Sequence, residues 1–178
     1  MQILDRIRQF LKQRKSLFLN ALFFVAVFVA VSTFQSRNML STSSTAAPAL
    51  NGALLRGGSY DIAAAGDRPM LVYFFAPWCK FCAVSSDNLT RLRRLRDDDS
   101  LDILTVVLDW KDQEEVRDYA ARYELDLPIL LGDSQIAQDW RVYGFPTYYV
   151  LDSDRRIRRR DLGYSTQFGL WWRTWLVD

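Results

Sequence analysis

The sequence predicts an α/β domain, a mixed β-sheet flanked by helices, preceded by one N-terminal transmembrane helix. Three observations carry this. Apolar runs of strand length alternate with stretches of helical periodicity, the pattern of a sheet with helical crossovers. The last two strand-like runs meet at an Asp152-Ser153-Asp154 turn, so one pair is antiparallel. An uncharged apolar run at residues 17–34 stands ahead of them all.

Residues 1–16 hold Arg6, Arg8, Lys12, Arg14 and Lys15 against Asp5 alone, a net +4, so the rest of a chain with net charge +2 sums to −2. Residues 17–34, LFLNALFFVAVFVAVSTF, have Asn20 as the main polar interruption. At about 1.5 Å per residue the run reaches the short end of a bilayer span. The cations on its N-terminal side place residues 1–16 in the cytoplasm and the remainder outside. A cleaved secretory signal, with small residues at Ala30 and Ser32, is the alternative. The run exceeds the usual apolar core of such signals, about 7–15 residues, which favours an uncleaved anchor. The expected location is a bacterial inner membrane, crossed once, with the folded domain in the periplasm, where disulfides persist. Residues 35–52, rich in Ser, Thr, Ala and Asn, read as a flexible linker. The folded domain is expected over 53–178.

Within that domain, Ala53–Leu55 reads as a short edge strand before a Gly57-Gly58-Ser59 turn. Residues 69–76, PMLVYFFA, are apolar throughout, as a strand buried on both faces requires. Cys79 to Arg96 reads as a helix, with Leu89, Leu92 and Leu95 at helical spacing. Residues 102–108 give a second buried strand and 112–123 a helix with Val116, Tyr119, Ala120 and Tyr123 on one face. Residues 128–131 are a short strand, 134–141 a short helix, 146–151 a strand, and 155–162 its antiparallel return. Residues 165–176 close as a helix, whose Phe168, Trp171, Trp172 and Trp175 are expected to pack on the sheet, with a membrane-interface belt as the alternative. Arg155–Arg160 reads as a solvated strand face, with anionic headgroups or an acidic partner as the sharper alternative. Asp97–Asp99 oppose the dipole at the end of the long helix and so belong to the loop after it.

Composition excludes several chemistries. Hydrophobic residues make up 49% and charged residues 25% of the 178, a globular balance rather than a disordered one. The chain has no histidine and two cysteines. This removes Ser-His-Asp and Cys-His catalysis, covalent haem attachment, and zinc sites, which need about four ligands. Beyond residue 16 no basic excess remains to bind nucleic acid. No flavin, nicotinamide or haem signature is visible, so no cofactor is expected beyond a redox-active Cys79–Cys82 pair.

That pair, in Trp78-Cys79-Lys80-Phe81-Cys82, falls where a buried strand gives way to a helix. Cys79 then stands at the helix N-terminus, where the partial positive charge lowers a thiol pKa, and Lys80 adds to this. Its thiolate can attack a substrate disulfide, and Cys82, one turn on, can resolve the mixed disulfide. A purely structural disulfide would close a very short loop and stabilise little. A two-coordinate Cu(I) site on the two thiolates is the metal alternative.

MLVYFFAPWCKFC together with GFPTYYVLDSDRRIRRRDLG resembles the two halves of the thioredoxin-like fold, and the anchored arrangement resembles membrane-tethered TlpA/ResA-type thiol-disulfide oxidoreductases. The resemblance covers about residues 53–178. It implies a protein thiol-disulfide oxidoreductase with Cys79 and Cys82 catalytic. It also implies that Pro146 is the family's cis-proline opposite that pair, and that Trp78, Phe145 and Pro146 contact the substrate. Two departures stand out. Tyr73 occupies the place of thioredoxin's buried acid, and a phenol with an ordinary pKa of about 10 cannot be a carboxylate-like base. Asp109 and Glu124 are the other candidate acids. Asp87 stands where many relatives have a helix-kinking proline, so a straight helix is expected. Lys80-Phe81 between the cysteines stabilises a thiolate only modestly, which favours a reductase, fed by a membrane electron donor, over a disulfide-donating oxidase. The expected partners are protein thiols and disulfides.

Overall fold

The computed structural model describes residues 19–20, 22–27, 30–31, 37–42, 46–97 and 99–177. The chain forms two compact units, 1–37 and 38–178. In the first, the described residues 19–20, 22–27 and 30–31 are helical and exposed. The anchor expected over 17–34 lies in part outside the described residues. Among those described, no helix is long and apolar enough to cross a membrane.

The second unit is built on a five-stranded sheet. Its strands are β3 (Met70–Phe75), β4 (Asp102–Val107), β5 (Ile129–Leu131), β6 (Thr147–Leu151) and β7 (Ile157–Leu162), in the spatial order β5-β4-β3-β6-β7. β3 pairs in parallel with β4, and β4 with β5, while β6 and β7 run antiparallel. A small antiparallel pair, β1 (Asn51–Ala53) and β2 (Ser59–Asp61), precedes it. Gly57 and Gly58, both at positive φ, make the turn between them. Leu54 bridges to Leu130, which brings this hairpin against β5. The edge strand thus starts two residues upstream of its expected start.

Every residue of β3 is buried, because the sheet has two cores. Leu71, Tyr73 and Phe75 face one side and Met70, Val72 and Phe74 the other, the period-2 alternation of a strand. On the first side lie α1 (Lys80–Leu95), α2 (Gln113–Arg122) and α4 (Gln167–Trp175), through Leu89, Leu92, Val116, Tyr119 and Leu170. On the second lie Trp140, which follows α3 (Ser134–Asp139), and an N-terminal segment contributing Met39, Leu40, Leu50 and Ile62. Trp140 is fully buried, its ring edge-on to Tyr149 at 5.4 Å. Asp112, Asp133 and Thr166 cap α2, α3 and α4, each side chain accepting a first-turn N–H.

Two expectations change. The tether read over 35–52 is shorter, because Met39, Leu40 and Leu50 are buried and Arg160 Nη1 donates to the carbonyls of Met39 and Leu40 at 2.9 and 2.6 Å. Apolar residues in a Ser-rich segment were enough to dock it. Of the aromatic stripe of α4, Trp171 packs against the core but the other three rings do not face the sheet. Leu170 and Thr174 do, while Phe168, Trp172 and Trp175 are 69%, 49% and 54% exposed. α1 runs unbroken past Asp87, and Asp97 and Asp99 fall after its end.

Candidate active site

β3 ends at Phe75, and Ala76-Pro77-Trp78 carries the chain to the start of α1. Cys79 is the N-cap of that helix, in extended conformation, and its Sγ accepts the Cys82 backbone N–H at 3.1 Å. A sulfur is a weak cap, so the position is better suited to a thiolate than to a neutral group. The same N–H and the helix N-terminus both favour negative charge there. Cys79 and Cys82 are joined as a disulfide with Cα atoms 5.2 Å apart. Cys79 keeps 6% of its surface exposed and Cys82 none. Cys79 is thus the nearer of the two to solvent, and Cys82 lies wholly beneath the surface.

Below Cys82 lies a layer of hydroxyls. Tyr73 Oη donates to the Cys82 carbonyl at 3.2 Å and Ser86 Oγ donates to it at 3.0 Å. Ser86 Oγ also meets Tyr119 Oη at 3.0 Å, and Ser85 Oγ donates to the Phe81 carbonyl. The Tyr148 hydroxyl is buried there near Ser85 and Ser165, without a well-formed hydrogen bond among the described residues. Burial, then the neighbouring phenols Tyr148 and Tyr119, push the Tyr73 phenol well above its ordinary value, although Ser85 and Ser86 pull it back. Tyr119 is pushed up to about 12, chiefly by burial. Tyr73 is therefore a neutral donor that holds the first turn of α1, not an acid–base group.

The loop before β6 is brought alongside. The Phe145–Pro146 peptide is cis. Thr147 Oγ1 donates to the Gly144 carbonyl at 2.7 Å, and Gly163 N to the Pro146 carbonyl at 2.8 Å, which fixes the turn. The Phe145 ring stands edge-on to Trp78 at 5.7 Å and packs against the core cluster that includes both cysteines. Trp78 is exposed, and its indole N–H donates to Asp109 Oδ2 at 3.0 Å. Asp109 sits at φ 52°, a left-handed conformation that Asp tolerates better than most residues. Lys80 is exposed at the first helical position. Glu124 is exposed beyond the end of α2, where its carbonyl accepts from Thr90.

The structure thus gathers Trp78, Cys79, Cys82, Phe145 and Tyr73. It draws in Asp109 as the partner of Trp78, a role the sequence did not reveal because the two are 31 positions apart. A cleft of about 450 Å³ opens beside Phe145 and Asp109, lined also by Trp110, Gly132 and Ala137. A cleft of about 580 Å³ at the opposite end of β3, by Met70 and Asp102, is remote from the cysteines.

A sheet of this order, with a Cys-x-x-Cys pair opening the helix after its central strand and a cis-proline loop near by, defines a thioredoxin-like protein. Residues 44–160 match the AhpC/TSA family, and the chain belongs to that thioredoxin-like family. It is 30% identical over 115 residues to the thioredoxin-like protein YneN of Bacillus subtilis (strain 168), covering 64% of this chain and 67% of that one. It is 33% identical over 129 residues to the thiol:disulfide interchange protein CycY of Rhizobium leguminosarum bv. viciae, covering 69% of this chain and 60% of that one. It is 29% identical over 113 residues to the thiol:disulfide interchange protein DsbE of Vibrio cholerae, of which it spans 56%, and those 113 residues are 60% of this chain. Among solved structures, a thiol:disulfide interchange protein from Chlorobium tepidum TLS superposes with a TM-score of 0.69 at 15% identity, over 78% of this chain and 99% of that one. The thioredoxin domain of a Bacteroides vulgatus thiol-disulfide oxidoreductase gives 0.69 at 20%, with the same coverage. These two likenesses establish the fold. The enzyme class expected from the sequence, protein thiol-disulfide oxidoreductase, agrees with the relatives.

Proposed function

We propose that the chain is a membrane-tethered periplasmic thiol-disulfide oxidoreductase that reduces protein disulfides, with Cys79 as nucleophile and Cys82 as resolving thiol. One observation carries the assignment of roles: Cys79 Sγ is at the helix N-cap and accepts a backbone N–H, and its residue keeps a little exposed surface, while Cys82 is fully buried. In the reduced protein a Cys79 thiolate attacks one sulfur of a substrate disulfide. That bond breaks, and the departing sulfur leaves as a thiolate and takes a proton from water. Cys82 loses its proton to water, attacks Cys79 Sγ and frees the substrate as a dithiol. Two electrons have passed to the substrate, and the Cys79–Cys82 disulfide remains. A dithiol carried by a membrane protein restores the pair by the reverse exchange. Trp78, Phe145 and Pro146 form the surface that receives the substrate.

The reducing direction is supported by what surrounds the thiolate. Phe81 is exposed and offers it no hydrogen bond, and the layer under Cys82 is neutral. Little beyond the helix N-terminus and Lys80 stabilises the reduced state. The tether and the compartment are supported by residues 1–34, a basic segment followed by an uncharged apolar run.

Replacing Cys82 by Ser leaves a mixed disulfide with no resolving thiol, so Cys82→Ser accumulates trapped partners on non-reducing gels and Cys79→Ser accumulates none. Trapping by neither variant would sink the exchange mechanism. A site that held Cu(I) would instead lose the metal equally with either change. Equilibration with dithiothreitol buffers gives the direction: a potential near about −270 mV fits a reductase, and one near about −120 mV makes the protein a disulfide donor.

A further inference from the structure

We infer that the β7 edge of the sheet and the exposed aromatic face of α4 rest together on the surface of an anionic bilayer. The inference builds on the anchored reading above. α4 buries Leu170 and Thr174 and turns Phe168, Trp172, Trp175 and Leu176 outward, a side chain every three or four residues and so one helical face. The rings contact one another, Phe168 with Trp172 at 6.4 Å and Trp171 with Trp175 at 5.4 Å. Isolated exposed apolar residues are ordinary, but a joined aromatic face marks a contact surface. Tryptophan in particular suits the bilayer interface, where its ring is buried and its N–H stays wet.

The neighbouring strand supplies charge of the matching sign. The hairpin from Asp152 to Arg160 carries five arginines, Arg155, Arg156, Arg158, Arg159 and Arg160, against two acids, Asp152 and Asp154. Arg155 is turned to Asp102 and Arg160 to the Met39 and Leu40 carbonyls, while Arg158, beside Asp152 at 3.2 Å, and Arg159 are exposed, so the hairpin keeps its positive excess at the surface. Arg159 pairs across with Val150 and Asp161 with Tyr148, so both lie on the face of the sheet that α4 covers. Arg173 of α4 meets Asp161 at 2.8 Å, which locks helix and strand into one surface. A cationic strip beside an apolar aromatic strip is complementary to headgroup phosphates above acyl chains.

Chain continuity commits this face to a membrane. The segment that enters the fold does so at this same edge, through the Arg160 contacts to Met39 and Leu40 and a bridge between Ala46 and Arg156. Only Gln35–Asn38 separate Met39 from the end of the apolar run at Phe34. In the anchored reading, the five Cα steps from Phe34 to Met39 span at most about 18 Å, which bounds the distance of this edge from the bilayer.

The test uses the full chain in vesicles of phosphatidylcholine and phosphatidylglycerol whose acyl chains carry bromine, a contact quencher of tryptophan. The expected result is quenching that is lost in Trp172→Phe/Trp175→Phe, weakened in Arg158→Gln/Arg159→Gln, and weakened for the unaltered chain in phosphatidylcholine alone. Equal emission from brominated and unbrominated vesicles overturns the inference, as does a quenching that the tryptophan substitutions leave intact. Emission shielded through pairing of two copies, seen as crosslinked dimers, overturns it in favour of a second copy. The anchor is read separately, by flotation with vesicles in high salt. If the chain fails to float there, the anchored reading is wrong. The face is then judged by low-salt binding: loss with Arg158→Gln/Arg159→Gln upholds it, and no binding to anionic vesicles overturns it.

Discussion

At Asp109 two demands meet on one side chain: a left-handed backbone and a carboxylate under the Trp78 indole. Left-handed conformation costs an ordinary L-residue about 1–2 kcal/mol, and Asn shares with Asp a partial exemption. Asp109→Ala is therefore expected to lower stability by about 1–2 kcal/mol and to shift Trp78 emission, whereas Asp109→Asn keeps most of both. Urea unfolding of the oxidised protein and its tryptophan spectrum check this. Equal losses in the two variants would remove the backbone argument. The cysteine pair was legible as residues, since Cys-x-x-Cys after a buried strand specifies a helix N-cap whatever lies elsewhere. The hydroxyl layer was not. Ser85, Ser86 and Tyr119 look like helix surface and core in sequence, and only packing places their oxygens under Cys82.

The strands and helices of the sheet were legible for a related reason. β3 is apolar without a break, and β4 is interrupted only by Asp102 at its half-buried start and by Thr105, a pattern that suits strands covered on both faces. Composition could not say which side of α4 would be covered. Phe168, Trp172 and Trp175 are apolar, yet it is Leu170, Trp171 and Thr174 that the core covers. Nor did it reveal that Met39 and Leu40 would dock. Close approach also constrains the β5–α3 junction. A methyl group added at Gly132 would stand 2.8 Å from Leu108, 2.9 Å from Val106 and 3.0 Å from the Val107 carbonyl. Gly132→Ala should cost about 1–3 kcal/mol in thermal or urea unfolding through overpacking. Gly52→Ala, whose methyl would sit 3.5 Å from Leu130, should be near neutral.

Across the whole molecule, five tyrosines carry phenols raised by burial: Tyr60, Tyr119 and Tyr149 to about 12, and Tyr73 and Tyr148 upward with them. A phenol whose folded pKa is raised stabilises the fold fully below its unfolded value of about 10 and loses that contribution as pH climbs through the folded value. The urea midpoint should hold steady up to about pH 10 and then fall steeply, with Tyr73→Phe showing a shallower fall. A midpoint flat to pH 12 would contradict the burial of these groups.

Both margins of the sheet are occupied. β1 lies along β5, with Leu55 N donating to the Ile129 carbonyl at 2.9 Å, and arginines with the Ala46 bridge guard β7. Unpaired strand margins are templates on which like chains zip together. Proteins fixed to one surface meet their neighbours at high local concentration, where such zipping would be hardest to avoid. If the chain is tethered as proposed, the covered β5 margin and the arginine-lined β7 margin would work against such zipping between neighbours.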